Sequence, residues 1–342
     1  QRPSEYVTNV LAAAIAEDYE GPVFIQGDHF QLSAKRYASD PEVEVQAVKD
    51  LIQESVAAGF YNIDIDTSTL VDISKDSLAE QQALNTRLSA MLTGYVREVE
   101  PEGITISVGG EIGEVGGHNS TEPELRAYME GYNAELQRCA PGAVGLSKIS
   151  IQTGTSHGGV VLPDGSIKQV SVDFYTLRRL SEIARQEYHM GGAVQHGAST
   201  LPEEAFGKFV EAQAVEVHLA TNFQNMMFDR LPASLREEMY AYLDEKFAAD
   251  RKPDMTDEQF YYKTRKNAIG PFKTKLWNMA PEKKAEIGQA WEEQFTRLFL
   301  LLGLPGTRQY VEQTIRPVVI QPDPRAYAGA EVVGEDVSDL AD

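Results

Sequence analysis

The chain has 342 residues, of which 42% are hydrophobic, long enough for one large domain or two ordinary ones. Its 31 Lys and Arg against 52 Asp and Glu give a formal charge of -21, which argues against nucleic-acid binding because no basic cluster is present to meet a phosphate backbone. No apolar run reaches the roughly 18 residues of a membrane span, no secretory pattern follows Gln1, and Cys139 is the single cysteine, which excludes intrachain disulfides and fits a reducing, cytoplasmic setting.

Apolar residues at helical spacing over 6–19 lead through a glycine into "PVFIQ" at 22–26, which reads as a buried strand ending at Asp28 and His29. A second helix at 43–59 precedes "YNIDID" at 61–66. The pattern repeats with strands at 103–109, 146–152, 192–196 and 214–220, separated by helices at 79–97, 122–138, 174–188 and 202–211. Such alternation predicts parallel strands covered by crossover helices, in an open sheet or a closed barrel. From about Arg230 the pattern is helix after helix, with one further strand expected in "RPVVIQP" at 316–322 and an acidic, weakly patterned tail after Pro324.

Polar groups follow every strand: "GDH", "DTS", "GGEIGEVGG", "GTSHGG", "QHGAST" and "ATN". In parallel α/β folds ligands bind at those C-terminal ends. Three of the six histidines, His29, His157 and His196, fall there, and three imidazoles with an open fourth position make a catalytic zinc arrangement. Taken singly, each could instead cap a turn, and Glu111 in the same layer could either ligate the ion or pair with Lys148.

"GDH", "IDTSTL", "EIGEVGG", "GTSHG" and "HGAST", in this order, resemble the class II (zinc-dependent) fructose-bisphosphate aldolase family over about Val23 to Asn222. The resemblance implies a TIM (β/α)8-type barrel over 1–229, with 230–342 as a helical C-terminal extension and acidic tail packed on the barrel or a neighbouring subunit. It implies a cytoplasmic lyase of carbohydrate metabolism that reversibly cleaves a ketose phosphate or bisphosphate into a dihydroxyacetone-phosphate-type ketone and an aldehyde. The resemblance further implies Zn2+ or another divalent metal as cofactor, with a monovalent cation also compatible, a small phosphorylated sugar as partner, and a homo-oligomer, dimer or tetramer, as assembly.

Residue by residue, the resemblance makes His29, His157 and His196 metal ligands with Glu111 beside them, and Asp28 the carboxylate that exchanges a proton with the substrate hydroxyl. Gly158, Gly197, Ser199 and Thr221 match phosphate-side positions, and Asp66 and Ser68 match an Asp-x-Ser turn beside the site, for which a plain turn cap is the alternative. His218 stands where the family's last strand presents an Asn to substrate. In "GGHNSTE" the family's acidic proton loop is altered, leaving His118 or Glu122 as the second proton base if Gly116 and Gly117 let the loop move, or a polar turn in which Ser120 or Thr121 caps the next helix. Lys168 arrives late after "SHGG", where the family has a cation. The helix at 6–19 resembles the one before the family's third strand, so the barrel is expected to lack its first two βα units in this sequence, either because the native chain extends before Gln1, the preferred expectation, or because the C-terminal helices and "RPVVIQP" compensate. The altered loop also motivates a rival reading, a catalytically weak barrel serving as a scaffold subunit. A zinc hydrolase shares the histidines without a further signature.

Overall fold

A computed structural model describes residues 1–113, 118–155, 162, 171–321 and 325. Helix α1 (Pro3–Ala16) carries proline at its start, where the missing N–H costs nothing. Strand β1 (Gln26–Gln31) begins where the expected strand ends. Of the preceding apolar run only Ile25 is buried, while Val23 and Phe24 face solvent, so Asp28 and His29 lie within the strand. After α2 (Ala34–Ser39), Asp40 caps α3 (Pro41–Ala58) at the Val43 N–H, and buried Glu44 accepts from Ser33 N–H (2.6 Å) and Arg36 Nε (2.7 Å), fixing that corner.

The winding continues through β2 (Asn62–Asp66), α4 (Leu78–Val99), β3 (Ser107–Glu111), α5 (Glu122–Cys139), β4 (Lys148–Ser150), α6 (Phe174–Tyr188), β5 (Ala193–Gln195), α7 (Phe206–Glu211) and β6 (Glu216–Val217). Ser77 and Glu80 open α4 with reciprocal capping bonds. The six strands form one parallel sheet in the order β1-β2-β3-β4-β5-β6, so space follows sequence, as in a barrel and unlike a doubly wound sheet whose order reverses. The sheet is rolled: its outer strands meet through side chains, Gln26 Nε2 lying 3.1 Å from Glu216 Oε2. This is a half-barrel of the TIM type, with β1 and β6 sharing no backbone pairing among the described residues.

The C-terminal part is helical: α8 (Thr221–Arg230), α9 (Ala233–Lys246), α10 (Asp257–Thr264), α11 (Lys266–Ile269), α12 (Lys273–Trp277), α13 (Pro281–Leu301) and α14 (Arg308–Thr314). Phe228, Leu235, Met239, Leu243 and Phe260 build a second core. Helix α13 returns to the barrel side, where Trp291 Nε1 donates to the Phe223 carbonyl (3.1 Å), Phe295 stacks on Phe223, and Leu298 enters the main core. The strand expected at 316–322 is corrected: residues 316–321 form no regular element and have no ladder partner, Val319 is 83% exposed, and Pro317 removes a donor that a strand needs. Among the described residues no helix is long and apolar enough to cross a membrane. The tail beyond Arg325 lies outside the described residues.

Candidate active site

In a regular strand Asp28 and His29, being neighbours, would point to opposite faces. Strand β1 avoids this with a bulge. Gly27 pairs with Ile63 and Phe30 with Ile65, so three steps on β1 oppose two on β2, and His29 takes the left-handed backbone conformation at φ 53°. That conformation costs on the order of 1 kcal/mol. It brings both side chains to the same cluster.

There His29 Nδ1 donates to Asp66 Oδ2 (3.0 Å), leaving Nε2 facing His196 Nδ1 at 3.3 Å and Asp28 Oδ1 at 3.8 Å. Asp66 also accepts from Gln31 Nε2 (2.6 Å), and its other oxygen accepts from the Ser68 N–H (3.0 Å) and hydroxyl (2.6 Å). The Asp-x-Ser segment is therefore both a turn cap and the support of His29. His196 Nδ1 lies 3.7 Å from Asp28 Oδ2; its Nε2 meets Ser150 Oγ at 2.9 Å and Glu111 Oε2 at 3.8 Å. The His196 carbonyl accepts from Thr155 Oγ1 (2.8 Å) and Gln195 Nε2 (2.6 Å). His218 Nδ1 donates to Asp28 Oδ2 at 3.0 Å.

Charge is arranged to receive a cation. Burial alone would lower the His29 imidazole, but its bond to Asp66 and the charges of Asp28 and Glu111 raise it to about 10. Burial works the same way on His218, overcome by its bonds to Asp28 and Glu216, which lift it to about 9. Asp28 is held well below the carboxylate range against its burial, by the His218 bond and the surrounding imidazoles. Burial, with Asp66 and Asp28 adding to it, pushes Glu111 up to about 8.

A family model for class II fructose-bisphosphate aldolases matches residues 2–281. The chain belongs to the class II fructose-bisphosphate aldolase family. A crystal structure of a probable tagatose 6-phosphate kinase from Sinorhizobium meliloti 1021 superposes with a TM-score of 0.58 at 16% identity, covering 91% of this chain and 81% of that one, a likeness of fold. Fructose-bisphosphate aldolase from Campylobacter jejuni aligns at a TM-score of 0.47 and 15% identity over 86% of this chain and 75% of its own. A search of curated protein sequences finds no match.

Class II aldolases are metal-dependent, and the donor set here fits an ion: Asp28, His29 and His196 form a group able to hold a metal, and buried Asp28 Oδ1 has no hydrogen-bond partner. Two nitrogens on one tetrahedral zinc at about 2.0–2.1 Å would lie about 3.3 Å apart. That is the separation found between His29 Nε2 and His196 Nδ1, 3.3 Å. Of the other residues that the resemblance singled out, His157 and Gly158 lie outside the described residues, as do Gly116, Gly117 and the late Lys168.

His118 is exposed, with Nδ1 2.8 Å from the Asn119 carbonyl and Nε2 3.7 Å from Glu124. Glu122 is engaged by Arg179 (2.7 Å) and Arg126 (3.1 Å), and Glu124 reaches back to the Thr121 N–H (2.7 Å) and hydroxyl (2.8 Å) in a helix cap. The described contacts of His118 and Glu122 thus run along the start of α5 and across to α6. Gly197 adopts φ 67°, and Ser199 Oγ accepts the Ala220 N–H (2.7 Å), tying the β5 turn to the start of α8 beside Thr221. Buried Thr200 Oγ1 in that turn has no hydrogen-bond partner.

Sequence reasoning missed the layer beneath. Lys148 pairs with Asp64 (3.0 Å) and Glu216 (2.7 Å), not with Glu111, and donates to Gln26 Oε1 (2.7 Å). The available signal was polar alternation inside the strand sequences "NIDID" and "VEVH".

Proposed function

We propose that this class II aldolase family member is a metal-dependent enzyme that reversibly cleaves a ketose phosphate or bisphosphate into a dihydroxyacetone-phosphate-type ketone and an aldehyde. The observation that carries the reading is Asp28, whose Oδ1 has no hydrogen-bond partner and lies 3.8 Å from His29 Nε2, while its Oδ2 lies 3.7 Å from His196 Nδ1. Zinc held by His29, His196 and His157, with Glu111 adjacent, would supply positive charge where the enediolate develops. Asp28 Oδ1 takes the proton of the C4 hydroxyl as the C3–C4 bond breaks, its electron pair staying on C3, and returns that proton to the aldehyde oxygen in the reverse direction. His118 or Glu122 delivers the second proton to C3; for Glu122 this requires release from Arg126 and Arg179. Gly197, Ser199 and Thr221, with Gly158, hold the phosphate, where backbone without a Cβ approaches oxygen closely.

The test is a panel of phosphorylated ketoses headed by fructose and tagatose bisphosphates, the latter suggested by the description of the Sinorhizobium protein. Cleavage by the zinc-loaded protein should disappear with chelator. Asp28→Ala should keep the metal, held by the three histidines, while losing about 10²–10⁴ in turnover. No cleavage of any member by the metal-loaded protein would overturn this reading in favour of the rival one, a catalytically weak scaffold subunit.

A further inference from the structure

The floor under the histidine cluster is charged where a barrel interior is ordinarily filled with apolar side chains. Lys148 is 2% exposed at its centre, and Gly109 makes the space: a Cβ there would lie 2.3 Å from Asp64 Oδ1 and 2.9 Å from Lys148 Cε. Gln26 Oε1 accepts from Lys148, which orients the amide so that Nε2 donates to Asp64 Oδ2 (2.8 Å) and Glu216 Oε2 (3.1 Å). Both amide hydrogens are then used. His218 Nε2, although 3.1 Å from Gln26 Nε2, is left to donate to Glu216 Oε2 at 2.9 Å. On the other side of the ring Nδ1 donates to Asp28 Oδ2 at 3.0 Å.

We infer that His218 is the positioning residue of Asp28: its ring, anchored at Nε2 by Glu216, which Lys148 holds in turn, clamps Oδ2 and leaves Oδ1 without a hydrogen-bond partner beside His29 Nε2. The inference rests on Asp28 being the proton carrier proposed above. A carboxylate that exchanges a proton through one oxygen works best when the other is fixed, because a small misalignment of the reacting atoms is costly in rate. The clamp is rigid. The ring packs edge-on to His196 with centroids 4.4 Å apart, and Glu216 Oε2 is shared with Lys148 Nζ at 2.7 Å. With both nitrogens committed to carboxylates, His218 is placed to organise Asp28 rather than to bind substrate directly, the role its sequence position first suggested.

The experiment compares His218→Ala with His218→Asn, whose amide can place an N–H near the former Nδ1. His218→Ala should lower kcat about 10–100-fold with KM and zinc content little changed, and His218→Asn should recover most of the loss. Parent-like kcat in His218→Ala, or no recovery in a folded His218→Asn, overturns the inference. A second readout is independent of turnover: nitrogen-15 histidine NMR of the zinc-loaded parent should show a protonated, hydrogen-bonded His218 Nδ1 whose signal moves in Asp28→Asn. Were the parent to cleave no ketose phosphate, the reaction proposed above would fail on its own, and with it the catalytic role of the clamp. An Nδ1 signal indifferent to Asp28→Asn would instead overturn the clamp itself.

Discussion

Asp66 is 3% exposed and spends both oxygens on holding other groups, one of them His29 Nδ1. Asp66→Ala should therefore weaken zinc binding about 10–100-fold, read by competition with a chelator, because the imidazole loses the acceptor that fixes its orientation. An unchanged affinity would mean that packing alone holds the ring. The proton on His29 gives a second expectation. Its raised value of about 10 means the metal-free site is protonated at neutral pH, whereas a ligand imidazole must be neutral. Zinc added at pH 7 should release protons into a weakly buffered solution. Affinity should rise with pH up to the His29 value, by about tenfold per unit for each proton displaced. No proton release would contradict that charge state. Asp28, His29, His196 and Glu111 were legible as candidates because ionisable groups stood at strand ends; Lys148 and Glu216 were not, since a buried ion pair is visible only once distant strands are brought side by side.

At the scale of the element, β1 carries the site and Gly27 carries β1. A Cβ at Gly27 would lie 2.1 Å from the ring of Phe30, itself 2% exposed, across the bulge that turns Asp28 and His29 inward. Gly27→Ala should destabilise the protein by about 1–3 kcal/mol in urea unfolding. It should also weaken zinc binding, because a shifted Phe30 carries the neighbouring His29 with it; loss of stability with full affinity would uncouple the bulge from the site. The same element marks where sequence reading falls short. Period-two alternation locates a strand but has no means of signalling one inserted residue, so the expected strand at 22–26 and the observed Gln26–Gln31 overlap only at Gln26. The run at 316–322 misled for a related reason: apolar composition without a ladder partner makes no strand. Helix positions were legible within a few residues because apolar residues recur at helical spacing, and caps such as Asp40, Ser77 and Asp173 fix their starts locally in the structure.

For the whole molecule, candidate ligands on β1 and just after β5 mean that an ion held by them would couple strands far apart in the sheet order. Binding to the folded state alone stabilises it by about 2.7 kcal/mol when free metal is 100 times its dissociation constant. The zinc-loaded protein should accordingly melt above the chelated one, and the difference should disappear in a His29→Ala, His196→Ala double variant. Identical melting with and without chelator would mean that no ion binds the folded site appreciably. The alternation of strand and helix made this winding legible but left open sheet and barrel undecided; only the family resemblance favoured a rolled sheet, because rolling depends on contacts between segments 190 residues apart, such as Gln26 with Glu216.

The left-handed backbone at His29 also limits inheritance. Asn, Asp and His are the non-glycine residues that most readily tolerate a positive φ, and β-branched or bulky side chains do so poorly. Among side chains with donor atoms, the backbone at position 29 thus favours a short list before any ion has exercised a preference. Descendants of this chain that change metal should do so by altering His196, Glu111 or the surrounding charges, while position 29 drifts little.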